Sequence, residues 1–143
     1  MRSEKTILIV DADAIRRGVL ADLLASDGHA VLQATGGEEA LLKLEGGQVD
    51  LVVAEEHMPG TSGRELLWEC QRRWQGLPFV MLADDATVPK AVAAIKDGAA
   101  DYLARPFDVQ EFLRGIARIM SVSPGRAWAR SCNLLTEELW GGK

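Results

Sequence analysis

The sequence predicts an α/β fold in which a five-stranded parallel sheet is covered by helices on both faces. Short apolar runs of strand length alternate with helical patterns along the chain, and glycines fall where the helices should stop. Because a helix follows each strand, consecutive strands run in the same direction and the helices pack on both faces of the sheet. The length of 143 residues and the apolar fraction of 48% suit one domain with its own core.

Each predicted element rests on its own local pattern. The strands are apolar runs of strand length at Thr6 to Val10, Ala30 to Ala34, Leu51 to Ala54, Phe79 to Ala83 and Tyr102 to Ala104. The helices have a helical apolar period near Ile15 to Ala25, Glu38 to Leu44, Arg64 to Arg73, Pro89 to Lys96 and Asp108 to Met120. Helix ends are marked by Asp27-Gly28, Gly46-Gly47, Gly76 and Asp97-Gly98.

A break in the pattern divides the chain in two. The segment from Ser121 to Gly125 contains serines, Pro124 and a glycine, and it predicts a domain of residues 1–122 followed by a tail of residues 123–143.

The net charge of -5 argues against nucleic acid as the main partner of this segment, because phosphate contacts need clustered Lys and Arg. The residues after Pro124 are too few for a helix-turn-helix unit.

The tail contains one apolar pattern. Its members recur at spacings of four, three and four, and they are Trp128, Cys132, Leu135 and Leu139. This spacing predicts an extra C-terminal helix from about Arg126 to Trp140, which would pack on its own domain, a second copy or a following domain because it is marginal alone in water. The alternative is a linker, which Gly141-Gly142 favours.

The cysteines and the apolar runs bear on the compartment. Cys70 and Cys132 fit no metal or redox spacing, and we expect buried free thiols. No apolar stretch approaches membrane length, and none follows the first five residues as a leader would. The expected location is cytoplasmic.

Polar groups follow four of the predicted strands, at the edge where open parallel sheets bind ligands. The four loops are Val10 to Asp13, Glu55 to His57, Ala83 to Asp85 and Ala104 to Phe107. We expect their side chains to meet at one site.

Several short sequence motifs lie in and around these loops. They are Ile7-Leu-Ile-Val-Asp11, Glu39-Ala-Leu41, Met58-Pro-Gly60, Gly98-Ala-Ala-Asp-Tyr-Leu103 and Arg105-Pro-Phe107. Through them, residues 5 to 120 resemble the receiver domain of two-component response regulators. The resemblance implies a flavodoxin-like (CheY-like) fold with strand order 2-1-3-4-5. It also implies a signalling role in place of an enzyme activity, with a protein partner or a downstream output domain.

The resemblance also implies a set of chemical positions, and most of them differ here. Receivers use two adjacent acids, an acceptor aspartate, a Ser or Thr, and a lysine; in this chain the residues are Asp11, Ala12, Glu55, Ala83 and Arg105. Four of the five positions depart from the family pattern. Receivers hold magnesium on three carboxylates, so we expect no metal site, with magnesium binding weak or absent.

The departures favour a permanent ion pair in the place of phosphate chemistry. Glu55 moves the acceptor carboxylate by about an ångström, and Arg105 has a planar guanidinium that suits a carboxylate. We expect these two side chains to pair, with Asp11 as a second acceptor. The leading interpretation is an atypical pseudo-receiver that acts by protein-protein contact. The alternative is a receiver that still autophosphorylates from a histidine kinase or a small phosphodonor. A flavodoxin-type cofactor binder is disfavoured, because no glycine-rich loop follows the first strand.

Other residues carry weaker expectations. His57 is expected to be solvated, and Trp68 to be an exposed contact unless its ring lies over its neighbours. Asp13, Asp84 and Asp85 are expected to be helix-cap or surface acids, and the alternative is that Asp13 or Asp84 partly replaces the missing acid. Tyr102 holds the position of the receivers' switch aromatic, and without a hydroxyl at Ala83 its rotation is expected to be uncoupled from the pocket.

The resemblance finally implies an interaction face made by the fourth helix, the fifth strand and the last helix. The expected contact residues, for a partner or for homodimerisation, are Lys90, Lys96, Asp101, Tyr102, Glu111, Arg114 and Arg118.

Overall fold

The computed structural model describes residues 5–122, in which strands and helices alternate strictly. The strands are β1 (Thr6–Val10), β2 (Ala30–Ala34), β3 (Leu51–Glu55), β4 (Phe79–Ala83) and β5 (Asp101–Ala104). The helices are α1 (Ala14–Ser26), α2 (Gly37–Glu45), α3 (Gly63–Arg73), α4 (Val88–Lys96) and α5 (Val109–Val122). Glu55 is the last residue of β3, where the sequence predicts a loop residue.

The five strands form one parallel sheet of order β2-β1-β3-β4-β5, which confirms the predicted flavodoxin-like fold. The register places the ends of the three central strands together. Val10 lies beside Ala54, and Glu55 lies beside Leu82. The loops after β1, β3 and β4 therefore meet at one edge, at the point where the strand order reverses.

Alternate residues of each strand enter two separate cores. On one face, Leu8 and Val52 pack with residues of α2, α3 and α4. On the other face, Ile7 and Val53 pack with residues of α1 and α5. The central strands β3 and β4 are buried along their whole length, as expected for strands covered on both faces.

Polar side chains cap the helices that border the site. Asp13 accepts hydrogen bonds from the amides of Ile15 and Arg16, and Ser62 and Glu65 form a capping box at α3. Thr87 accepts from the amide of Lys90 at α4. Each cap fixes the residue at which a loop ends, and so it fixes where the loop side chains lie.

Of the two predicted free thiols, one lies within the described residues. Cys70 is a buried free thiol as predicted, and burial raises its pKa to about 12. Cys132 and the predicted tail helix with Trp128, Leu135 and Leu139 lie outside the described residues, so the tail and the domain boundary remain predictions. Among the described helices, none combines the length and the apolar character needed to span a bilayer.

Candidate functional site

Glu55 is a buried carboxylate paired with a cation at the carboxyl edge of the sheet. Its side chain is 2% exposed, and its Oε1 lies 2.6 Å from Nη1 of Arg105. The backbone amide of Arg105 donates to the carbonyl of Ala83 at 2.9 Å, which holds the loop after β5 against the end of β4. The predicted pair of Glu55 and Arg105 is therefore present. It is an ionic contact, not an aligned hydrogen bond, because Glu55 Oε1 has no hydrogen-bond partner among the described residues.

The main partner of Asp11 is Arg16, which the sequence analysis did not identify. Arg16 Nε donates to Asp11 Oδ2 and Nη2 donates to Asp11 Oδ1, both at 2.9 Å. The amide of Asp13 also donates to Oδ1 at 2.9 Å. Arg105 is a second, ionic partner of Asp11, as expected: its Nη2 lies 3.8 Å from Oδ2, although it makes no hydrogen bond among the described residues. A bidentate guanidinium has already occupied both oxygens.

The two arginines link three carboxylates into one network, which we name the arginine pocket: Asp11, Arg16, Glu55, Asp84 and Arg105. Arg16 Nη2 also lies 3.9 Å from Glu55 Oε1. Asp84 contacts both cations, at 3.4 Å from Arg16 and 3.3 Å from Arg105, and its side chain is 58% exposed. Asp84 thus forms the outer rim of the pocket, while Asp13 is a helix cap.

Burial and charge act in opposite directions on the pKa of Glu55. Loss of solvent raises this pKa, and the guanidinium groups of Arg105 and Arg16 oppose the rise. The hydrogen bonds to Asp11 raise the pKa of Arg16, so this arginine stays a cation at every physiological pH.

The two other positions at which receivers use functional groups hold methyl groups in this chain. Ala12 is exposed in the loop after β1, and Ala83 is fully buried at the end of β4. Neither side chain can ligate a metal ion or donate a hydrogen bond.

The loop after Glu55 is held by backbone contacts that require glycine. The amide of Glu56 donates to the carbonyl of Leu82 at 2.8 Å, and the amide of Gly63 donates to the carbonyl of Glu56 at 2.9 Å. A Cβ atom at Gly63 would collide with the carbonyl oxygen of Glu55. Gly60 has a φ of +77°, a conformation that side-chain-bearing residues avoid. This tight return fixes the direction in which Glu56 and His57 point.

Tyr102 makes a side-chain hydrogen bond that the sequence analysis missed. Its hydroxyl donates to Glu56 Oε1 at 2.9 Å, across a separation of 46 residues. Partial burial raises the pKa of Tyr102, and the hydrogen bond and charge of Glu56 raise it further. The side chain of position 102 is therefore held by the residue next to Glu55.

We expect Glu56→Gln to lower the pKa of Tyr102, because the change keeps a hydrogen-bond acceptor and removes a negative charge. Tyr102 is the only tyrosine of the chain, so ultraviolet absorbance of the phenolate reports this residue alone. The control Glu69→Gln alters an acid on the exposed side of α3 that lacks contact with Tyr102. An unchanged titration in Glu56→Gln would show that the Tyr102–Glu56 contact is not formed.

His57 lies beside two acidic side chains, outside the arginine pocket. Its Nε2 is 3.4 Å from Asp85 Oδ1 and 3.9 Å from Glu56 Oε1, and its side chain is 65% exposed. The predicted exposure is present, but the sequence analysis did not bring His57 and Asp85 together.

Trp68 was expected either to be exposed or to have its ring over neighbouring side chains, and both descriptions apply. Trp68 is 49% exposed, and the guanidinium of Arg64 lies 5.3 Å from its ring centroid. The ring is thus both accessible and partly covered by a cation-π contact.

The predicted interaction face is largely accessible. Lys96, Glu111, Arg114 and Arg118 are exposed, while Lys90, Asp101 and Tyr102 are half-buried. The structure adds an apolar stripe on α4 that the sequence analysis overlooked, made by Val88, Val92 and Ile95 at 76%, 46% and 49% exposure. The spacing of four and three residues was the signal for it.

The strand order and the acidic carboxyl edge define a flavodoxin-like domain with the architecture of a receiver. A family model described as response regulator receiver domain matches residues 7–117. The chain belongs to this family.

Relatives and solved structures agree with this membership. Response regulator protein FleR of Pseudomonas aeruginosa is 35% identical over 112 residues, which are 78% of this chain and 24% of FleR. Transcriptional regulatory protein TcrA of Mycobacterium tuberculosis is 32% identical over 115 residues, covering 78% of this chain and 46% of TcrA. The chain therefore spans less than half the length of these relatives. A receiver domain from Clostridium thermocellum superposes with a TM-score of 0.78 at 26% identity, over 82% of this chain and 94% of that one.

Proposed function

We propose that this receiver is an atypical pseudo-receiver, which signals through protein-protein contact without aspartyl phosphorylation. The observation that carries the proposal is the arginine pocket. Both oxygens of Asp11 accept hydrogen bonds from Arg16, and Oε1 of Glu55 lies 2.6 Å from Arg105. The groups that would bind magnesium and accept a phosphoryl group are engaged by cations of the same chain.

The residues of the pocket do not fit a magnesium ion. Magnesium requires several oxygens in octahedral geometry, and it is held by one or two carboxylates in many sites. Here Asp11 has no free oxygen pair, Ala12 brings no ligand, and an ion beside Glu55 would face the charges of Arg16 and Arg105. The guanidinium groups thus take the electrostatic role of a cation permanently.

The acceptor itself is also poorly placed for phosphoryl transfer. The extra methylene of Glu55 shifts the carboxylate by about an ångström, a displacement that can cost about a hundredfold in a positioned reaction. Ala83 has no hydroxyl to hold a phosphoryl oxygen, and its methyl group is fully buried.

A second function, autophosphorylation in a non-standard pocket, is favoured by one observation. Arg16 and Arg105 converge within 4 Å of Glu55 Oε1, and guanidinium groups bind phosphoryl oxygens well. If these arginines opened toward a phosphodonor, they could offset its charge in the absence of a metal ion.

Magnesium titration tests the pseudo-receiver proposal. We expect no saturable change in the amide NMR signals of Asp11, Glu55 and Arg105 at millimolar magnesium, because guanidinium groups already occupy the carboxylates. As a control, Arg16→Ala/Arg105→Ala frees both carboxylates and should bind the ion more tightly. Saturable shifts of the wild-type pocket signals would contradict the pseudo-receiver proposal.

The partners follow from the accessible face and from the relatives. We propose a cytoplasmic protein partner or an output domain, with homodimerisation as one form of contact and with no nucleic acid bound by this segment. FleR and TcrA are named as regulators, and the chain covers only part of each. The apolar stripe of α4 and the charges of α5 are the surfaces offered to such a partner.

We expect the reversal Arg114→Glu/Arg118→Glu to weaken association or partner binding at this face, because it replaces two exposed cations by acids. Analytical ultracentrifugation and binding to the isolated partner measure the effect. The control Arg72→Glu reverses an exposed charge on α3, away from this face. If the double reversal and the control behave alike, another face mediates contact.

A further inference from the structure

A group of three metal-ligating side chains lies at the same sheet edge but outside the arginine pocket. Glu56, His57 and Asp85 each offer a ligand atom, and these atoms lie within 4.8 Å of one another. Two of them come from the loop after β3 and one from the loop after β4. None of the three belongs to the acids that receivers use for magnesium, which correspond to Asp11, Ala12 and Glu55.

One distance between the ligand atoms equals that around a small tetrahedral ion, and a second is slightly longer. Zinc bound at about 2.0–2.1 Å to nitrogen and oxygen requires ligand atoms separated by about 3.3–3.5 Å. His57 Nε2 lies 3.4 Å from Asp85 Oδ1 and 3.9 Å from Glu56 Oε1. Glu56 is largely buried and held by Tyr102, so the exposed side chains of His57 and Asp85 would move to close on an ion.

Neighbouring groups orient the two carboxylates. Lys90 Nζ lies 3.4 Å from Asp85 Oδ2, which leaves Oδ1 directed to His57. Tyr102 donates to Glu56, and hydrogen bonds of this kind orient carboxylate ligands around metals. His57 and Asp85 are 65% and 69% exposed in their side chains, so an ion reaches them directly from solvent.

We propose that Glu56, His57 and Asp85 bind a divalent transition metal ion, with zinc as the representative ion and water completing its coordination. An imidazole nitrogen with two carboxylates suits zinc, whereas magnesium prefers oxygen ligands alone. The proposal is independent of whether Glu55 is phosphorylated.

Zinc at this site would act on the interaction face through Glu56. Glu56 would be held by the metal and by Tyr102 together, so the ion would fix the side chain of Tyr102. Zinc would then stabilise one state of the interaction face.

The test is isothermal titration of the full, tag-free chain with zinc chloride, in a Cys132→Ser background so that the tail thiol cannot bind zinc. We expect one zinc ion per chain, at least a tenfold weaker affinity in His57→Ala, and a similar loss in Asp85→Asn. The matched control is His29→Ala, the other histidine of the chain, which lies beside Asp27 and should leave the affinity unchanged. His57 is exposed, so its removal should not unfold the domain.

A spectroscopic reading tests the coordination itself. Cobalt(II) should show visible absorption bands of a low-coordinate site in the wild type and not in His57→Ala, and zinc should shift the ring signals of Tyr102 only in the wild type. Equal zinc affinity in the wild type and His57→Ala, or the absence of saturable binding, would overturn the proposal.

Discussion

Replacing Arg105 by methionine is expected to lower the free energy of unfolding by on the order of 3 kcal/mol at neutral pH. The change leaves Glu55, 2% exposed, without its partner at 2.6 Å, while Arg16 remains 3.9 Å away. An unpaired buried charge costs more than the pair contributes, so Glu55→Gln/Arg105→Met should recover most of the loss. Chemical denaturation followed by tryptophan fluorescence measures both variants.

The stability of the Arg105→Met variant should depend on pH. Arg105 opposes the rise in the pKa of Glu55, so its removal should raise this pKa further above 4.5, the ordinary value. The folded variant then retains a proton that the unfolded chain releases. Its stability should therefore fall as the pH rises from the ordinary pKa to the pKa in the folded state, and the loss relative to wild type should be smallest in acid.

A matched control separates burial from charge. Arg72 also contacts a glutamate at 2.6 Å, but its side chain is 69% exposed. Arg72→Met should cost no more than about 1 kcal/mol, with little dependence on pH. If both arginines cost the same, the arginine pocket is no more than a surface ion pair.

Restoring the family chemistry is expected to need several changes together. Glu55→Asp alone should not produce a phosphorylated protein, because Arg16 still binds Asp11 and Ala12 and Ala83 still lack their functional groups. A combined variant with Ala12→Asp, Arg16→Ala, Glu55→Asp, Ala83→Thr and Arg105→Lys should react with acetyl phosphate and magnesium at least about a hundredfold faster than Glu55→Asp. Intact-mass spectrometry against time gives both rates.

The role of Arg16 is tested within the same series. The combined variant that keeps Arg16 should react more slowly than the one that loses it, because the guanidinium occupies both oxygens of Asp11. Full activity from Glu55→Asp alone would mean that the other changes in the pocket have little effect.

The sequence predicts the fold well because its signals are local. Apolar runs of strand length and glycines at helix ends depend on neighbours in the chain, and the resemblance supplies the strand order. The pair of Glu55 and Arg105 is also predictable, since both lie at the carboxyl ends of strands that meet at one edge of the sheet.

Side-chain partners that depend on distance in space were missed. Arg16 reaches Asp11 because α1 begins just after the Asp13 cap, and only the helix geometry shows that its fork faces both carboxylate oxygens. Tyr102 and Glu56 are 46 residues apart, and no local pattern links them. His57 was expected only to be solvated, because its partner Asp85 comes from another loop.

The most direct test of the central claim is the intact mass of the wild-type chain after incubation with acetyl phosphate, or with a phosphorylated histidine kinase, in the presence of magnesium. The arginine pocket predicts an unchanged mass, since Glu55 is paired with Arg105 and Asp11 with Arg16. A stable gain of one phosphoryl group on Glu55, or on an aspartate of the pocket, would contradict it.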